Sequence, residues 1–174
     1  MASSLFVLGG ARSGKSRFAI DSQPSRARVT FLATAQAGDA DMAARISRHR
    51  AERPRHWRTV EEAYDLVPRL RACCAEADAV VVDCLTLWVS NLMLRGDADE
   101  WIVKQGEELA ALLALGPADV TLVSNEVGEG VHPPTADGRR FRDLLGTVNQ
   151  RVAAAAARVV LMVAGVPLAV KAPR

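Results

Sequence analysis

The chain has 174 residues, 49% of them hydrophobic and 24% charged, a composition that supports a buried core and excludes the low-hydrophobicity pattern of a disordered chain. Its 22 Lys and Arg against 20 Asp and Glu leave a net charge of +2, too small to argue for nucleic acid as a partner. Cys73, Cys74 and Cys84 contain no CxxC spacing, which excludes a zinc knuckle or a disulfide framework and suits a reducing cytoplasm.

The first apolar run, 5–8, has no basic segment before it and reads as a strand rather than a signal peptide. It leads into Gly9-Gly10-Ala11-Arg12-Ser13-Gly14-Lys15-Ser16, the spacing of a P-loop. The glycines let backbone N–H groups turn inward around phosphate, and a helix predicted over 15–22 adds the partial positive charge of its N-terminus. Lys15 is then placed to reach the terminal phosphates of a nucleoside triphosphate, and the Ser16 hydroxyl to ligate Mg²⁺.

A second buried run, 29–33, precedes a helix predicted over 39–53 and rich in arginine. Arg45, His49 and Arg53 are spaced four apart and share a face, with Met42 and Ile46 as apolar neighbours. A neutral imidazole is a nucleophile toward phosphorus, and guanidinium groups beside it stabilise the charge of a transferring phosphoryl group. From these residues alone, a surface histidine on a solvated basic helix remains the alternative. Pro54-Arg55-His56-Trp57 reads as a turn in which His56 packs or supports a neighbouring site residue.

Beyond a helix predicted over 63–77, the run 79–82 ends in Asp83 and has the form of a Walker B strand, which makes Asp83 the second expected Mg²⁺ residue. Helices over 85–94 and 99–115 and a strand over 120–123 follow. Asn125-Glu126-Val127-Gly128 then falls at the carboxyl edge of the sheet, where ligands bind in such folds. Asn125 and Glu126 are candidate substrate-side residues, with a loop hydrogen-bond network as the alternative. A helix over 139–157 carries Asn149 and Gln150 at positions read as packing, and a strand over 159–163 closes the pattern. The apolar stretch 152–170 holds Arg158, Gly165 and Pro167, which excludes a membrane span.

Continuous apolar runs alternating with helices specify an α/β fold of the P-loop NTPase type (RecA-like). Its sheet is mostly parallel with helices on both faces, and residues 1–174 form a single domain without internal repeats.

Several segments in this order carry a resemblance: Gly9-Gly-Ala-Arg-Ser-Gly-Lys-Ser-Arg17, Met42-Ala-Ala-Arg-Ile46, His49, Arg53-Pro54, His56-Trp-Arg-Thr59, Asn125-Glu-Val-Gly128, Phe141-Arg-Asp143 and Val148-Asn-Gln150. Nearly end to end, the chain resembles the bifunctional adenosylcobinamide kinase/adenosylcobinamide-phosphate guanylyltransferases of cobalamin biosynthesis. The resemblance implies phosphorylation of adenosylcobinamide, a corrinoid, by ATP or GTP. It then implies transfer of GMP from GTP through a GMP-histidine at the position of His49. It maps the nucleotide contacts onto Gly9 to Ser16, onto Ala33, Thr34 and Ala35, onto Arg50, Ala51, Glu52 and Arg53, and onto Glu61 and Asp83, and it implies a homotrimer. The chain departs from some relatives in having Arg48-His49 rather than two adjacent histidines, and His132 where relatives can have an apolar residue. The competing readings are a single-function P-loop small-molecule kinase in which His49 is structural, and a regulatory GTP-binding module.

Overall fold

Alternate residues of the buried strands face opposite sides of one sheet, and each side is sealed by its own helices. The computed structural model describes residues 3–25, 27–38 and 40–172. In chain order the elements are β1 (Ser4–Gly9), α1 (Lys15–Asp21), β2 (Val29–Ala33), α2 (Ala40–Ala51), β3 (Arg58–Glu61), α3 (Leu66–Glu76) and β4 (Ala79–Asp83). After these come α4 (Leu85–Arg95), α5 (Asp99–Leu115), β5 (Asp119–Val123), α6 (Ala136–Ala155), β6 (Arg158–Val163) and β7 (Val166–Lys171).

They form a seven-stranded sheet of order β3-β2-β4-β5-β1-β6-β7. Every neighbouring pair is parallel except β6 with β7. Because strand side chains alternate with a period of two, Phe6, Leu32, Val80, Val82, Val120 and Leu122 face α3 to α6. Phe31, Ala79, Val81 and Val123 face Ala19 and Ile20 of α1. Trp88 of α4 is fully buried, and its indole N–H donates to the Tyr64 carbonyl at 2.8 Å. Among the described residues, no helix is long and apolar enough to cross a membrane.

Two strands lie outside the sequence expectation. β3 is the four-residue segment Arg-Thr-Val-Glu, whose charged ends and partial exposure give no buried run. Pairing of Thr30 to Ala33 with Arg58 to Glu61 creates it, and an ion pair of Arg58 with Glu76 holds its start. β7 returns from β6 through Ala164 (φ 49°) and Gly165 (φ 85°), a two-residue turn with both residues left-handed. Pro167, which lacks an N–H, is tolerated because β7 is the edge of the sheet.

Three helices also differ from the expected limits. α2 ends at Ala51, so Arg53 falls in the following turn. α3 starts at Leu66, after the Glu62 carboxylate accepts the N–H groups of Tyr64 and Asp65 at 3.0 Å each. α6 starts earlier than expected, at Ala136, because the Thr135 hydroxyl accepts the Gly138 N–H at 3.1 Å and caps it.

Candidate active site

The carboxyl ends of β1, β2, β4 and β5 open into one cavity of about 610 Å³, overhung by α2. The P-loop at its floor depends on two glycines. At Gly9 (φ 151°) a Cβ would stand 2.6 Å from both the Met162 carbonyl oxygen and Ser13 Oγ. Gly14 precedes α1 at φ 93°, a conformation that strains other residues. The loop is tied to its surroundings through its own carbonyls. Gly9 O accepts the Glu126 N–H at 3.1 Å, and Ser13 O accepts the Gly165 N–H at 3.0 Å. Lys15 is buried, and its Nζ donates to the Gly10 carbonyl at 2.5 Å, which holds the ammonium against the loop that would receive phosphate. Ser16 lies beside it in the cavity wall.

Asp83 ends β4, level with Ala33 of β2 and Val123 of β5, and lines the same cavity. Thr34 secures this corner. Its N–H donates to the Asp83 carbonyl at 3.1 Å, while its hydroxyl accepts the Cys84 N–H at 2.9 Å and donates to the Cys84 carbonyl at 2.7 Å. Asn91 in turn donates to the Thr34 carbonyl at 2.8 Å. Thr34 is thus fully buried behind the cavity, whereas Ala33 and Ala35 on either side line it. Burial, reinforced by the neighbouring Asp83 charge, pushes the Cys84 thiol up to about 12, so it stays protonated and is not a nucleophile.

His49 projects from the last turn of α2, and its Nδ1 lies 4.0 Å from Asp83 Oδ2. Met42, Ile46 and Arg48 line the cavity from the same helix, and Glu52 and Arg53 from the turn after it. The Arg53 guanidinium stacks on the Phe31 ring at 3.6 Å and donates to the Thr59 hydroxyl at 3.3 Å. Burial pulls its pKa below the ordinary value while the Asp83 charge opposes the shift, and an arginine so placed remains a cation. The side chain of Arg45, the third residue of the expected basic face, lies outside the described residues.

Most of the residues expected from the sequence therefore meet. Ala11 to Ser16, Ala33, Ala35, His49, Glu52, Arg53, Glu61 and Asp83 line one cavity. Gly9 and Gly10 shape the loop beneath it. Arg50 and Ala51 are exposed and outside its lining, Arg50 in an ion pair with the lining residue Glu61 at 2.9 Å.

At the β5 edge, Asn125 lines the cavity, whereas Glu126 turns back to accept the Gly128 N–H at 2.7 Å. Asn149, read from the sequence as a packing position, donates from Nδ2 to the Asn125 carbonyl at 3.1 Å. His132 lies far along the following loop and meets Arg142 at 2.9 Å.

Comparison with known proteins places this geometry. The chain is 46% identical over 168 residues to the bifunctional adenosylcobalamin biosynthesis protein CobP of Pseudomonas aeruginosa, covering 95% of each chain. It is 42% identical over 179 residues to the bifunctional adenosylcobalamin biosynthesis protein CobU of Escherichia coli, covering 96% of this chain and 99% of that one. Among solved structures, a KaiC-like protein of Pyrococcus horikoshii shares the fold with a TM-score of 0.51 at 13% identity, over 91% of this chain and 70% of that one. The model of one family matches residues 5–170, and on these grounds the chain belongs to the cobinamide kinase / cobinamide phosphate guanyltransferase family.

Proposed function

We propose that this protein phosphorylates the aminopropanol hydroxyl of adenosylcobinamide with ATP or GTP. It then transfers GMP from GTP to the new phosphate, giving adenosylcobinamide-GDP and pyrophosphate. The observation that carries the reading is the opening of His49, Lys15 and Asp83 into one cavity, so that a nucleotide gripped by the P-loop presents its phosphates to an imidazole. In the first reaction the substrate hydroxyl attacks the γ-phosphorus, its proton leaves, and the nucleoside diphosphate departs.

In the second reaction the His49 imidazole attacks the α-phosphorus of GTP. A P–N bond forms and the bond to pyrophosphate breaks. An oxygen of adenosylcobinamide phosphate then attacks the same phosphorus, the P–N bond breaks, and the imidazole is restored. With Nδ1 turned toward Asp83, Nε2 is the nitrogen available for attack. Lys15 and Arg53 supply positive charge against the phosphates as negative charge shifts onto the leaving group.

Ser16 and Asp83 are the groups that would hold Mg²⁺. Such an ion takes one or two protein ligands and completes its shell with substrate phosphates and water, so it needs no cluster of three His, Cys, Asp or Glu side chains, and the described residues contain none. Bound there, it neutralises charge on the transferring phosphates. The same family resemblance supports a homotrimer, which light scattering checks against three times the 18.7 kDa chain, and the cysteine usage supports a cytoplasmic location.

The deciding experiment is incubation with GTP labelled at the α-phosphate. Retained label and a GMP-sized mass increase on the peptide containing His49 are expected. A protein that phosphorylates adenosylcobinamide yet retains no label is a kinase alone, and one that does neither is a nucleotide-binding module.

A further inference from the structure

We infer that Asn125 is a catalytic residue of the phosphoryl-transfer reaction, its side-chain amide donating to the γ-phosphoryl group in flight, and that Asn149 positions it. The inference rests on the kinase half of the function proposed above.

Sheet order carries the first step. β5 lies between β1, which delivers the P-loop, and β4, which ends in Asp83. Val123 is in register with Val7 on one side and Asp83 on the other, so the chain leaving β5 emerges between the phosphate loop and the carboxylate. Asn125 is the polar residue that lines the cavity there. Glu61 and β3 are three strands away, roughly 14 Å at ordinary strand spacing, which puts Asn125 at the phosphate end of the cavity.

The second step is the way Asn125 is held. Its N–H donates to the Thr86 hydroxyl at 2.7 Å, and its carbonyl accepts from Asn149 Nδ2 at 3.1 Å. The next N–H, of Glu126, donates to the Gly9 carbonyl at 3.1 Å and couples the segment to the P-loop. Both backbone polar groups of Asn125 are therefore committed. Its side-chain amide makes no hydrogen bond among the described residues and remains available to a ligand.

Asn149 itself is 6% exposed, within an α6 stripe of Leu144, Leu145, Val148 and Val152. Its Nδ2 must face the Asn125 carbonyl, because the opposite amide orientation would set two acceptors against each other. Its Oδ1 is buried without a partner. An amide in an apolar stripe with one atom unsatisfied is costly as packing alone, and what it accomplishes is the placement of Asn125.

Asn125→Ala is compared with the unmodified protein in two assays, steady-state phosphorylation of adenosylcobinamide and single-turnover labelling of His49 by α-labelled GTP. Loss of one preorganised donor to a developing charge should lower kcat for phosphorylation about 100-fold, with nucleotide KM and the His49 labelling rate each within about three-fold. Asn149→Ala should show the same split at about ten-fold, and Asn149→Ser, which keeps a donor, should recover part of it. If Asn125→Ala does not fold, Asn125→Leu, similar in shape and without a donor, carries the same expectation. Unchanged phosphorylation, or equal losses in both assays, overturns the inference. An unmodified protein that does not phosphorylate adenosylcobinamide instead strikes the proposed function, and the inference falls with it.

Discussion

The imidazole of His49 stands 4.0 Å from the carboxylate of Asp83, although one lies on a helix that crosses above the sheet and the other at the end of a central strand. The nucleophile candidate and the carboxylate that ends β4 therefore line one cavity. His49→Asn should abolish the GMP adduct and guanylyl transfer while leaving measurable phosphorylation of adenosylcobinamide, because only the nucleotidyl step needs a nitrogen nucleophile. In the unmodified protein the adduct should be lost in mild acid and survive mild alkali, as a P–N bond does. An adduct that persists in His49→Asn, or maps to His56 or His132, refutes the assignment.

Lys15→Ala should lower both activities at least about 100-fold, since a fixed cation near the terminal phosphates is lost while the glycine turns remain. Circular dichroism should be unchanged. Full rates from this folded variant would remove the P-loop from the mechanism.

Asp83→Asn keeps the strand and loses the charge. Activity at limiting Mg²⁺ should fall about ten-fold or more and recover in part as Mg²⁺ is raised. A titration with the same Mg²⁺ midpoint as the unmodified protein would leave Asp83 without a metal role.

Thr34→Val replaces a fully buried hydroxyl by a methyl of similar size and removes both hydrogen bonds to Cys84. The orphaned Cys84 backbone groups should cost roughly 1–3 kcal/mol of stability. Urea unfolding measures this. Both activities should fall together, because the corner that carries Asp83 loosens, and a variant as stable as the unmodified protein contradicts the clamp.

The thiols set a pH limit. Burial pushes Cys74 up to about 11 and Cys84 up to about 12, from an ordinary value of 9.0. The folded state therefore favours the protonated thiols. Their contribution to stability is whole below pH 9.0 and declines as the pH rises from there through 11 and 12, because the unfolded chain ionises first. Iodoacetamide at pH 8 should modify Cys84 slowly in the native protein and rapidly in urea. Equal rates in the two states would show an accessible, ionisable sulfur.

The buried strands and the phosphate loop were legible in the sequence because their causes are local. An uninterrupted run such as Val80-Val81-Val82 has to be covered on both faces, and Gly9 and Gly14 stand where the backbone turns left-handed. The P-loop spacing pointed to Lys15, the Walker B form of 79–83 to Asp83 and the family match to His49, as separate signals. What only the tertiary structure decided are relationships across long stretches of chain. β3 exists because β2 offers it an edge, and β7 because a two-residue turn folds it onto β6. Thr34 clamps Cys84 from fifty residues away, and Asn149 reaches the Asn125 carbonyl across twenty-four. Such hydrogen bonds leave no periodicity in the sequence. A lone polar residue in an apolar stripe looks the same whether it packs or positions, until the fold supplies its partner.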